Sequence, residues 1–268
     1  MENIDPVLFL EPILAVTMSV VAVVYWRRRA GFRPALLALS FVAYAGAIMA
    51  KLAIQVLTLS AVTSYFGSVS VGLGLYFGLQ TVFLEVGLAY VLASVAAKRI
   101  NLNPTDAVPY GISLAFWENA VLLGALTILN LTVIYVLIAS GSSAGQALYS
   151  TLSSAQASYF TPPSVLIWPE LVGTLERLSS MLVHVAWGVL CVLAAVTRRR
   201  RFLAYALPMG LVDALVPFAI LNGDLFEAGI FLLSIGFIAV AWISMKQVSS
   251  EGVPFGQGSL QPDGSATP

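Results

Sequence analysis

"GISLAFWENAVLLGALTIL", residues 111–129, is apolar enough to lie in lipid, yet it holds one ionised residue, Glu118, between Trp117 and Asn119. A carboxylate at the centre of a bilayer costs at least ~2.5–3.5 kcal/mol on insertion scales. Such a residue belongs in the interior of a helical bundle, where it meets other polar groups. Its presence therefore raises two questions: whether the rest of the chain forms that bundle, and what Glu118 meets there.

The composition answers the first. The 268 residues are 59% hydrophobic and only 10% charged, with a mean hydropathy of +0.91. A soluble domain carries nearer a quarter charged residues. Several apolar runs are long enough to cross a hydrocarbon core of about 30 Å. The fold expected is an all-α, polytopic transmembrane bundle with seven spans, at roughly 7–26, 34–59, 71–97, 107–139, 171–197, 202–220 and 225–246. The fourth is long enough to tilt, or to hide a re-entrant turn that would make the count eight.

Orientation follows from the basic residues. Arg27, Arg28, Arg29 and Arg33 separate the first two spans, Lys98 and Arg99 follow the third, Arg198 to Arg201 follow the fifth, and Lys246 ends the seventh. The alternate loops contain only acids, such as Glu170, Asp224 and Glu227. By the positive-inside rule the N-terminus lies outside and the C-terminus inside. The first span has its arginines on its far side and no basic leader, so it reads as an anchor rather than a cleaved signal. Residues 1–248 are expected to form the transmembrane domain, with 249–268, rich in Gly, Pro, Ser and Gln, a disordered cytoplasmic tail. The Ser-rich stretch 140–170 is expected to fold as a surface segment over the helices. Cys191 is alone and lies in an apolar run, as a small core residue would. No nucleic-acid motif is present, and the partners expected are membrane lipid and membrane-protein segments.

Without the loop charges, Lys51, Glu85, Glu118, Glu176, Arg177, His184 and Asp213 remain inside the spans, with Glu11 near the end of the first. At 1.5 Å per residue, Glu118 and Asp213 lie about 17 Å from the inner face, and Glu85 and His184 about 20 Å from the outer face. Four ionisable groups on four helices thus share a layer near the midplane, while Lys51, Glu176 and Arg177 are expected in a second layer nearer the outer face. Intramembrane charges face the bundle interior and pair with one another. Three carboxyls facing one imidazole leave negative charge over, which calls for a proton, a metal ion or a cationic ligand. Arg177, Ser180 and His184 fall on one face of their helix. Phe116, Trp117 and Trp187 read as packing rather than as a cofactor box.

Three stretches in order, "FLEVGLAY", "GISLAFWENA" and "LERLSSMLVHVAWGVL", resemble motifs of the YhfC-type intramembrane metallopeptidases, relatives of the PrsW and CAAX-processing membrane proteases; "LPMGLVDAL" is a weaker fourth match. The similarity covers roughly residues 25 to 220. The resemblance implies a metal, zinc being the candidate, that activates water for attack on a peptide bond inside the membrane. It implies Glu85 and Glu118 as catalytic carboxylates, and Glu118, His184 and Asp213 as the available ligand set. Glu176 and Arg177 match the family's Glu-Arg pair. The resemblance also suggests the plasma membrane of a prokaryote. Four positions depart from the pattern: Leu84 and Leu88 replace a glutamate and an arginine, and Leu114 and Met209 replace the two histidines. Two other readings are open on the residues themselves. One is a non-catalytic binding protein of the same fold. The other is a proton-coupled transporter using midplane carboxylates, for which "LPMGLVDALVPF" would be a discontinuous helix.

Overall fold

The computed structural model describes residues 3–30, 32–221 and 223–251. Seven helices in it are long and apolar enough to cross a membrane: Pro6–Arg29, Pro34–Phe66, Val71–Arg99, Pro104–Ala139, Pro163–Thr197, Arg200–Leu221 and Gly223–Ser250, here spans one to seven. No strand occurs among the described residues. Helices satisfy their own backbone hydrogen bonds, which hydrocarbon cannot do for them. Large apolar side chains face outward along the spans, Val56 being 84% and Leu57 82% exposed. That surface suits lipid and no aqueous solvent.

Span five is the axis of the bundle. Of its most apolar window 67% is buried, against 17–39% in the other spans. Residues 186–194 are buried without a break, including Trp187, Leu190, Cys191 and Leu193. A helix apolar on every side belongs at such a centre.

Glycines let the backbones come close. Gly111 of span four and Gly188 of span five face each other, and a Cβ built on Gly188 would lie 2.5 Å from the Gly111 Cα. Gly74 and Gly78 of span three press against Ala214 of span six. A Cβ on Gly210 would stand 2.9 Å from the Val82 nitrogen. Small residues one turn apart serve this purpose in membranes, where close van der Waals packing replaces the hydrophobic drive.

Three spans leave the α-helical path. Span three widens to π-helical turns over Thr81–Val86, and span four does so over Trp117–Ala125. Span six is 3₁₀-helical over Leu207–Leu221, far beyond the three or four residues usual for that form. Pro208 and Pro217 explain part of this, since each removes a donor from the α-helical ladder. The long fourth segment is continuous from Pro104 to Ala139, so no re-entrant turn interrupts it and the count stays at seven.

Span five begins at Pro163, earlier than the expected 171. Pro163 sits in the first turn, where its missing N–H costs nothing, and the helix then runs through Pro169. The segment before it contains a short helix, Ser143–Ala155, and a 3₁₀ turn, Ala157–Phe160. It packs with Ile4 and Leu8 near the N-terminus and with Leu131, Ile134 and Ile138 of span four. The Asp5 amide donates to the Tyr159 carbonyl at 3.1 Å, closing this cap over one end of the bundle. Span seven carries helix to Ser250, past the expected start of the tail, whose remainder from residue 252 lies outside the described residues.

The glycine contact makes a clean test of packing. Gly188→Ala is expected to destabilise the protein by about 1–3 kcal/mol through overpacking against span four. Gly236→Ala, where a Cβ meets nothing within 4 Å, should leave stability unchanged. Thermal unfolding of both variants in one detergent checks the pair.

Candidate functional site

The irregular turns and the central helix bring the buried charges together. Glu85 lies on the π turn of span three, Glu118 on that of span four, Asp213 on the 3₁₀ stretch of span six and His184 on span five. All four line one cavity of about 360 Å³. The Gly111–Gly188 crossing fixes Glu118 against His184, since each lies within two turns of its glycine. The Gly74–Gly78 contact with Ala214 likewise seats its neighbour Asp213 beside Thr81 and Glu85.

His184 is the hub of one half of the cluster. Its Nδ1 lies 2.9 Å from a Glu118 carboxylate oxygen and 2.9 Å from the Ser180 carbonyl, both acceptors, so Nδ1 carries a hydrogen. Its Nε2 is 3.3 Å from a Glu85 oxygen. The Ser180 hydroxyl donates to Glu118 at 3.0 Å. The Trp187 ring lies 4.2 Å from the imidazole and covers it, while Tyr44 stands edge-on at 6.1 Å.

Lys51 is the hub of the other half, which corrects the two-layer expectation. Its ammonium reaches the Glu85 carboxylate at 2.5 Å, the Thr81 hydroxyl at 2.9 Å and Asp213 at 3.3 Å. Depth counted to a Cα misplaces a lysine. A helical side chain slants back towards its helix N-terminus, here the Pro34 end, and the four-carbon stem carries the charge about a turn further. Arg177 does lie apart from this group, paired with Glu11 of span one and its neighbour Glu176. Glu11 fits there because Gly173, one turn before Arg177, leaves room for its carboxylate.

Two participants escape a reading of charges. Thr81 donates to Asp213 and accepts from Lys51, fully buried. Its spacing of four from Glu85 puts both on one helical face, which was the available signal. Glu227, placed among the loop acids by sequence, is helical, buried and on the cavity wall. It follows the start of span seven by barely a turn, within the expected span 225–246 but so near its end that it reads as a loop acid.

Glu118, His184, Glu85, Lys51 and Asp213 thus form a continuous row of ionisable groups, with steps of 2.9, 3.3, 2.5 and 3.3 Å. Such a row compensates buried charge and can pass a proton along itself. A seven-helix integral membrane protein with an acid-rich internal cavity is the class this fold and site define. The chain belongs to the YhfC intramembrane metalloprotease family, whose model matches residues 14–218. No curated protein and no solved structure shows significant similarity to it.

The family's name implies a metal, and the donor geometry can be tested against one. Three protein ligands and an open position make a catalytic zinc site. Among the described residues no group of three His, Cys, Asp or Glu side chains is placed to hold an ion. Nδ1 of His184 is committed as a donor, leaving Nε2, which faces Glu85. Glu85 and Asp213 meet around the Lys51 ammonium, where a divalent cation would be repelled. Glu118 and Asp213 lie at opposite ends of the row. The residues are brought together, but their arrangement does not fit a metal.

Breaking this compensation has a large expected effect. Lys51→Met leaves the buried Glu85 and the partly exposed Asp213 without their cation and should cost about 3–5 kcal/mol. Adding Asp213→Asn removes one of them and should recover part of the loss, a coupling that a double-mutant cycle measures directly. Unfolding midpoints of the two single variants and the double variant in one detergent provide the check.

Proposed function

We propose that the chain is a non-hydrolytic member of its family, in which the cavity binds a membrane-embedded ligand and no peptide bond is cut. The observation that carries this reading is the Lys51 ammonium between Glu85 and Asp213. In a hydrolase of this family those carboxylates would serve a cation and the water it activates. Here their charge is met by a side chain of the protein itself.

The departures in the motifs support the same reading. Leu114 and Met209, at the positions of the family's histidines, are 3% and 2% exposed and pack in the apolar core. Neither lines the cavity. Glu85 and Glu118, the catalytic candidates, hold His184 between them and act as its positioning partners. The protein sits in a prokaryotic plasma membrane with its N-terminus outside, following the basic ends of its spans. Its partners are lipids or membrane segments that reach the cavity from within the bilayer.

Metal content and cleavage test the reading together. Purified protein given equimolar zinc should retain far less than one ion per chain. Incubation with membrane-protein substrates should give no cleavage that a chelator suppresses. Chelator-sensitive cleavage that Glu118→Gln or Glu85→Gln abolishes would overturn the proposal and restore zinc-dependent hydrolysis.

A further inference from the structure

The cavity continues past the charged row towards the Gly223 end of span seven, where Glu176, Arg177 and Glu227 line it. Arg177 is already paired with Glu11 and Glu176. Glu227 is 9% exposed, and its Oε2 is fully buried with no hydrogen-bond partner among the described residues. Glutamate is almost never buried unless paired, and an unmatched buried carboxylate is expensive. The other buried acids of this cavity each meet a cation, a hydroxyl or the imidazole. Glu227 meets none.

What Glu227 lacks is a cation of its own, since Arg177, whose charge acts on it, is held by Glu11 and Glu176. Five carboxyls line the cavity, those of Glu85, Glu118, Glu176, Asp213 and Glu227, against Lys51, Arg177 and at most one charge on His184. An anionic ligand is therefore disfavoured. A hard metal ion is disfavoured too, because it demands several oxygens and no three-ligand group exists among the described residues. An ammonium needs only one carboxylate and a place for its carbon chain. The nearby wall supplies that place with Val216, Ala219, Phe226 and Ile230.

Depth agrees with an amphipathic ligand. Glu227 lies about 6 Å along span seven from Gly223. The span exceeds a hydrocarbon core of about 30 Å, so Glu227 falls at headgroup level with the apolar wall leading inward. We infer that Glu227 anchors an ammonium group borne on an apolar body, held in the cavity between spans five, six and seven. This rests on the cavity's role as a binding site and not on the absence of hydrolysis. An ethanolamine lipid headgroup and a free long-chain amine share the chemistry.

The test uses the full chain in phosphatidylcholine nanodiscs, with dodecylamine as probe and dodecanol as its neutral control. Dodecylamine should raise the unfolding midpoint and dodecanol should not. Glu227→Gln should weaken the amine response by about tenfold or more. Ala219→Leu, which narrows the cavity and keeps the carboxylate, should block it as well and covers the case of a Gln variant that folds poorly. If the source is lipid, discs containing phosphatidylethanolamine raise the wild-type midpoint by themselves and leave the amine nothing to add. If the source is a free amine, the discs make no difference and the amine response persists. Either result supports the site. Equal shifts with amine and alcohol, or an amine response that survives in both variants, overturn it. Zinc retention or cleavage has no bearing on these readouts, so the two proposals fail separately.

Discussion

A charged amine inside a lipid-facing bundle must be answered by carboxylates, and Lys51 sets that demand on the structure. Its ammonium cannot reach water through the apolar wall of span two, so spans three and six must bring Glu85, Thr81 and Asp213 to it. Those groups become acids in need of a cation as soon as Lys51 is withdrawn. The constraint runs both ways, as it does for any buried ion pair whose desolvation has been spent. His184 extends it to span four through Glu118. Four helices are thereby locked in rotation and depth around a fifth.

The irregular backbone is the mechanical counterpart of this network. In a regular α-helix successive side chains are spaced about 100° apart, and a local change of winding re-aims a side chain between those directions. The π turns at Thr81–Val86 and Trp117–Ala125 re-aim Glu85 and Glu118 without breaking their spans. The 3₁₀ stretch of span six narrows the helix so that Ala214 can seat on Gly74 and Gly78. Such departures concentrate at functional sites. In this molecule each one carries a member of the charged row, while Lys51 and His184 project from regular helices.

The sequence announces the bundle because lipid leaves the chain so few solutions. Seven apolar runs, divided by arginines on one side and acids on the other, can only be spans, and the helices follow them within a few residues except at Pro163 and at Phe66, where span two runs past the expected 59. The shared layer of Glu85, Glu118, His184 and Asp213 was also legible, since it needs only helical rise. What the residues could not convey was reach and register. Lys51 crosses between layers on a flexible stem. Thr81 carries no charge to draw attention to it. Glu227 lies so near the start of its span that it passes for a loop acid. The 3₁₀ stretch owes part of its form to Pro208 and Pro217, which the residues do announce, but the π turns carry no such local mark.

Leu114 and Met209, which depart from the motifs that the sequence resembles, have a packing role. Each occupies a position where the family's motif carries a histidine, yet each is sealed in the apolar core rather than placed on the cavity wall. Leu114 packs beside Gly188 at the closest crossing of spans four and five. An imidazole there would be buried without a partner, which a dry helix crossing does not tolerate. An apolar residue at 114 and the tight crossing are therefore one requirement in packing terms. Hydrocarbon at these two positions stabilises the bundle that a polar ligand set would strain. Lys51 meets the charge of Glu85 and Asp213 from within the protein. The cavity wall still carries more carboxyls than cations.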